Sequence, residues 1–145
     1  MTPGANLFVD TSGWADPILR NTPDYQRMAA LYRNVLASGR PLMTTNYVLS
    51  ELAALLTTRA RAPRADILAY LRDIRTDPHM HDMHVVHMDP RLDEEAWDLL
   101  DRMLDKEWSL VDAASLVVMR RLGITEALTT DRHFSQAGFV RLPSE

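Results

Sequence analysis

Four acidic residues stand where short apolar runs end or helical patterns begin. They are Asp10 after "LFV", Glu51 inside "TTNYVLSELAALL", Asp112 in "SLVDAAS" and Asp131 after "ALTT". Carboxylates drawn close together repel one another. Mg2+ and Mn2+ are hard cations that favour carboxylate and water oxygens, and they relieve that repulsion singly or as a pair ~3.5–4 Å apart. The chemistry natural to such a centre is hydrolysis of a phosphodiester. The metal lowers the pKa of a bound water and neutralises charge building on the phosphate oxygens, so no covalent nucleophile is required. Three of the acids also have plainer readings. Asp10 can cap a short helix in "DTSGWAD", Asp112 can complete a capping box with Ser109, and Asp131 can be a turn residue. Glu51 resists such a reading. Val48, Leu49, Leu52, Ala53, Leu55 and Leu56 surround it in sequence, with no Lys or Arg within a turn. A carboxylate buried on a packed helix requires a partner, a proton or a metal.

The elements that must position these acids alternate. Short apolar strands are expected at 6–10, 42–45, 84–88, 126–131 and 139–142, where β-favouring residues sit between turn signals. Helical spacing predicts helices over 24–37, from the opening of "NYVLSELAALL" to about Arg61, from Pro63 through "PRADILAYLRDI", over 90–107 and over 109–123. Ser109 is the expected N-cap of the last of these and Gly123 its stop. Strands alternating with helices imply an α/β fold with a parallel sheet and right-handed connections. Strand ends and the starts of the following helices then share one edge, where ligands of such sheets bind. No repeat, linker or low-complexity tract divides residues 1–145, so one domain is expected.

In order and spacing, "FVDTSGW", "TTNYVLSE", "SLVDAAS" and "TTDRHF" resemble the four acidic motifs of PIN domains, and more narrowly those of the VapC-type ribonuclease toxins. The likeness runs from Asn6 to Val140. It implies a three-layer α/β/α domain whose central parallel sheet carries a metal site at its carboxyl edge. Asp10, Glu51, Asp112 and Asp131 would surround one or two Mg2+ or Mn2+ ions, and Thr11, Ser12, Asn46 and Ser109 would support them. Val111 stands where related sequences often have Thr, which removes a hydrogen bond from that support. The resemblance implies a metal-dependent endoribonuclease, the toxin of a type II toxin–antitoxin pair that blocks translation or growth. It further implies a homodimer and a cognate antitoxin that covers the toxin's groove. Three other readings stand beside this one: a PIN nuclease of general RNA processing, a non-catalytic metal- and RNA-binding regulatory domain, and a haloacid-dehalogenase-like phosphatase. The last would need a second Asp two residues after Asp10, where Ser12 stands.

Composition narrows the field. The chain has 145 residues and no cysteine, which excludes disulfides, cysteine zinc sites and thiol catalysis. Its net charge of -4 supplies no general basic field for nucleic acid, although clustered metal-binding acids lower the charge by themselves. Arg accounts for every basic residue except Lys106; Arg59, Arg61 and Arg64 gather at one expected helix junction, where an RNA path, a dimer edge or simple solvation would each fit. No apolar run reaches the ~20 residues a membrane span needs, and the start of the chain lacks a signal-peptide pattern, so a cytoplasmic location is expected. His79, His81, His84 and His87 match neither strand alternation nor one helix face, and are expected in a loop leading into a strand. His133 is expected to orient its loop with Phe134, with substrate contact as the alternative, and Trp14 to pack beneath the acids, with a protein interface as the alternative.

Overall fold

The computed structural model describes residues 6–76 and 82–144. Five short strands form one sheet: β1 (Leu7–Val9), β2 (Leu42–Thr45), β3 (Met83–Val86), β4 (Glu126–Leu128) and β5 (Val140–Leu142). The order is β3-β2-β1-β4-β5, with every pairing parallel. Helices link the strands: α1 (Thr11–Ala15), α2 (Tyr25–Ala37), α3 (Asn46–Arg59), α4 (Arg64–Thr76), α5 (Pro90–Arg102), α6 (Leu110–Leu122) and α7 (Arg132–Gln136). This is the expected α/β architecture.

The central strands are apolar because both faces are covered. Leu7, Phe8 and Val9 are fully buried, as are Ala127 and Leu128 in β4. Helix α6 is the most deeply placed helix, with every residue from Asp112 to Met119 buried. It starts at a Ser109 cap and ends at Gly123, whose φ of 67° suits the left-handed C-terminal position. Helix α7 is only five residues long and is anchored by Phe134, which is fully buried with its ring 6.2 Å from that of Phe8. Trp14 is likewise fully buried, edge-on to Tyr32, and its carbonyl accepts the Tyr70 hydroxyl at 2.6 Å. The expectation that Trp14 packs beneath the acids holds.

Several boundaries differ from expectation. β1 stops at Val9 and β4 at Leu128, so Asp10 and Asp131 lie just past the strands and become the residues that begin α1 and α7. β3 is drawn back to Met83–Val86 by its register against Leu42–Thr45. α5 ends at Arg102, not Glu107, and the chain turns so that buried Trp108 can reach Gln136 with its indole N–H at 3.2 Å. Among the described histidines of the 79–87 segment, His84 and His87 are exposed, and His84 pairs with Asp82 at 3.1 Å. His79 and His81 lie outside the described residues. No helix among the described residues is long and apolar enough to cross a membrane.

Candidate active site

Three of the four acids converge at the carboxyl edge of β1 and β4. Asp10 leaves β1 with its carboxylate buried, only 4% exposed. It makes no side-chain cap bond to α1, so the capping alternative is not realised; instead it accepts the Thr129 hydroxyl at 3.0 Å. Asp112, in the first turn of α6, is buried and does form the capping box. Its Oδ2 accepts the Ser109 N–H at 2.9 Å, while the Ser109 hydroxyl accepts the Asp112 N–H at 3.1 Å. Asp131 caps α7 by accepting the His133 N–H at 2.9 Å. The capping readings of Asp112 and Asp131 are realised, and each cap engages one carboxylate oxygen, so the chemical reading stays compatible with them.

Glu51 corrects the sequence reading. It is exposed, not buried. The buried residues of α3 are Val48, Leu49, Leu52 and Leu56, which turn their stripe to the core and leave Glu51 outside it, on the flank that faces α1. The premise that this carboxylate must be neutralised inside a packed helix fails. What remains is its position: the Thr11 hydroxyl donates to Glu51 Oε1, which ties the rim of α3 to the residue next to Asp10.

The supporting residues divide. Thr11 joins Glu51 to the start of α1. Ser12 bridges the strand ends: its Oγ accepts the Thr130 N–H at 2.9 Å and lies 3.1 Å from Thr129 Oγ1. Ser109 caps α6 and thereby orients Asp112. Asn46 is engaged elsewhere, its Oδ1 accepting the Met88 N–H at 2.8 Å, so it fastens α3 to the segment after β3 instead of serving the acids. Thr129 and His133 are the two residues whose part the sequence reading did not bring out. Thr129, fully buried, donates to Asp10 and accepts the Asp131 N–H at 3.0 Å, so one hydroxyl positions both strand-end acids. The only signal for it was a Thr two places before Asp131, in a strand where Thr is ordinary.

The electrostatics follow from crowding. Burial, reinforced by the charges of Asp112 and Asp131, pushes the Asp10 carboxyl up to about 7. The Thr11 backbone and the Thr129 hydroxyl offset this in part. A carboxyl held half-protonated at neutral pH beside two further acids is a site short of positive charge. Asp112, Asp131 and His133 also each offer one ligand atom, all within 4.8 Å of one another. The donor set suits a divalent cation. Ser109→Ala is expected to cost about 1 kcal/mol through loss of the cap. The Asp112 carboxylate keeps its bond from the backbone N–H of residue 109, so divalent-cation binding is expected to change little; thermal melts with and without Mg2+ measure both.

Acids gathered at the carboxyl edge of a parallel sheet suit a metal-dependent enzyme that acts on phosphate esters. The sequence pattern of the PIN domain matches residues 7–140, and the chain belongs to the PIN domain family. It is 39% identical over 140 residues to the 23S rRNA-specific endonuclease VapC20 of Mycobacterium tuberculosis, in each of two strains, covering 96% of this chain and 99% of the relative. The crystal structure of the Mycobacterium tuberculosis VapC20, described as a sarcin–ricin loop cleaving toxin, superimposes with a TM-score of 0.77 at 37% identity, over 92% of this chain and 96% of that one. A Pyrobaculum aerophilum protein shares the fold with a TM-score of 0.60 at 20% identity, over 96% and 90% of the respective chains.

Proposed function

We propose that this chain is an endoribonuclease toxin of the VapC type that cuts a loop of 23S rRNA, using a divalent cation held by Asp10, Asp112 and Asp131 with Glu51 at the rim. The observation that carries the reading is the convergence of Asp10 and Asp131 on the single hydroxyl of Thr129, beside Asp112. Near-full-length identity to VapC20 supports the choice of RNA target. A bound Mg2+ or Mn2+ supplies an acidified water and neutralises charge on the phosphate. The chain's own residues hold the geometry. Thr129 and Ser12 fix the distance between the two strand ends, Ser109 sets the rotamer of Asp112, and Thr11 holds Glu51 over the opening. Glu51, exposed and hydrogen-bonded on one oxygen, is placed to accept a proton from attacking water or to bind the cation through water.

Basic residues suited to the RNA backbone gather at the C-terminal end of α3. A cleft of about 610 Å3 beyond α1 is lined by Arg20, Arg59 and Arg61 over an apolar floor of Ile18, Ile67 and Tyr70. Arg64 instead reaches back to the Thr57 hydroxyl at 3.4 Å. Guanidinium groups that have no ion pair among the described residues offer bidentate contacts to phosphates without making the whole protein basic. By the same family reading, the toxin forms a homodimer and is silenced by a cognate antitoxin.

The test is to incubate the purified protein with ribosomes and with total RNA, in Mg2+, in Mn2+ and in EDTA, and to map the new RNA ends. Metal-dependent cutting at one loop of 23S rRNA is expected. Cutting at another RNA would overturn the target and keep the nuclease; no cation-dependent cutting of any RNA would overturn the nuclease reading.

A further inference from the structure

We infer that His133 is a nitrogen ligand of the divalent-cation site, acting beside Asp112 and Asp131, so that the centre favours Mn2+ over Mg2+. The inference rests on the reading of the acids as a cation site. His133 Nδ1 lies 2.9 Å from Asp112 Oδ2 and 3.0 Å from Asp131 Oδ1. Yet the nitrogen is shielded from solvent, and neither oxygen is aligned to receive a hydrogen bond from it. Each of those two oxygens already accepts one backbone N–H, from Ser109 and from His133 itself. Three potential ligand atoms therefore face one small volume, with no hydrogen bond made between the imidazole nitrogen and either oxygen.

The spacing suits a metal. Neighbouring ligands of an octahedral ion with bonds of ~2.1 Å lie roughly 3.0 Å apart, by the geometry of a right angle. The two distances from Nδ1 match that separation, and all three atoms fall within 4.8 Å of one another. The ring is not free to wander. The His133 N–H is fixed to Asp131, the next residue Phe134 is fully buried, and the imidazole is only 27% exposed. This is the pre-arrangement that a ligand needs, and the five-residue α7 supplies it. Imidazole is a good ligand for transition metals, whereas Mg2+ is bound almost wholly by oxygen. Placing one nitrogen among carboxylates therefore shifts the balance toward Mn2+. The competing account is a protonated His133 clamped between two carboxylates, which would exclude the cation from this position.

Pulsed electron paramagnetic resonance of the Mn2+-loaded protein separates the two. Wild type is expected to show coupling of the Mn2+ electron to a directly bound imidazole 14N, and His133→Ala is expected to lose it. Calorimetric titration should show Mn2+ affinity falling by roughly tenfold or more in His133→Ala, with a smaller change for Mg2+. His133→Asp should restore affinity through oxygen without the nitrogen coupling. That separates a ligand from a residue that merely props up α7, and circular dichroism confirms that each variant is folded. Wild-type protein that binds Mn2+ with no 14N coupling would overturn the inference and leave the cation site standing. Failure of wild type to bind either ion would overturn the cation-site reading itself, and the inference with it.

Discussion

Asp10→Asn is expected to reduce RNA cleavage by at least about a thousandfold, the scale of losing several kcal/mol of metal-assisted stabilisation, while making the metal-free protein more stable at neutral pH. Both effects have one cause. Asp10 is buried at the end of β1 beside Asp112 and Asp131, and its carboxyl is pushed from 3.8 up to about 7. Between about pH 4 and about pH 7 the folded protein then holds a proton that the unfolded chain has released. Stability from this group is present at the acidic end, falls as pH rises through that interval and is flat above it. At about 1.4 kcal/mol per pH unit, the difference sets an upper bound of roughly 4 kcal/mol. Asparagine cannot ionise, so the variant should not show this fall. Mg2+ should restore stability to the parent and do little for the variant, because binding stabilises only a protein that binds. Denaturation in EDTA from pH 4 to 8, with and without Mg2+, makes the comparison. Superimposed curves for the two proteins, or undiminished cleavage by the variant, would remove Asp10 from the site. Glu51→Gln should lower cleavage comparably with stability changed by no more than about 0.5 kcal/mol, since Glu51 is exposed.

The second large effect is structural and arises one helical turn away. Gly13, buried in α1, is pressed against the end of β4. A Cβ there would run into the Leu128 carbonyl oxygen and would lie 2.9 Å from Val9 Cγ1. The first obstacle is backbone, at the end of a strand paired on both sides, and cannot swing aside. Gly13→Ala is therefore expected to destabilise the protein by about 3 kcal/mol, at the upper end of overpacking costs. It should also lift Thr11 and Ser12 away from Glu51 and Thr129. Urea denaturation gives the stability, and cleavage measured well below the midpoint gives the activity. A variant as stable as the parent would mean that α1 can move off β4, and that the close approach is not needed to seat Ser12 between the strand ends.

The sheet and its acidic edge were legible in the sequence because they rest on strong local patterns. "NLFV", "LMTT" and "EALTT" are short β-favouring runs, each followed by a break, and an acid after a central parallel strand has few places to go. Ser109 and Gly123 marked α6 at both ends because caps have their own chemistry. Glu51 was misjudged for a physical reason. Seven apolar residues spread over "VLSELAALL" cover more of the helix than the core takes up, so periodicity alone does not say which side faces inward. Ala54 is exposed and Leu55 only half-buried in the outcome. Helices α1 and α7, at five residues each, are shorter than the window over which helical spacing can be counted. They exist because Trp14 and Phe134 are buried by the rest of the molecule, which is tertiary information. The roles of Thr129 and His133 were hidden for the same reason: a threonine in a strand and a histidine in a turn take on meaning only when their neighbours are known.

The hydrogen bond from Thr129 to Asp10 joins residues 119 positions apart, and Ser12 meets Thr130 across 118. The centre is thus closed by contacts between the beginning and the end of the chain. Contacts so distant in sequence form only when the intervening strands have paired. During synthesis, a polypeptide that has reached α4 holds Asp10 and Glu51 with neither Asp112 nor Asp131, and therefore no place for a cation. The acidic edge is complete only once the segments that carry Asp112 and Asp131 have been made and β4 has paired with β1.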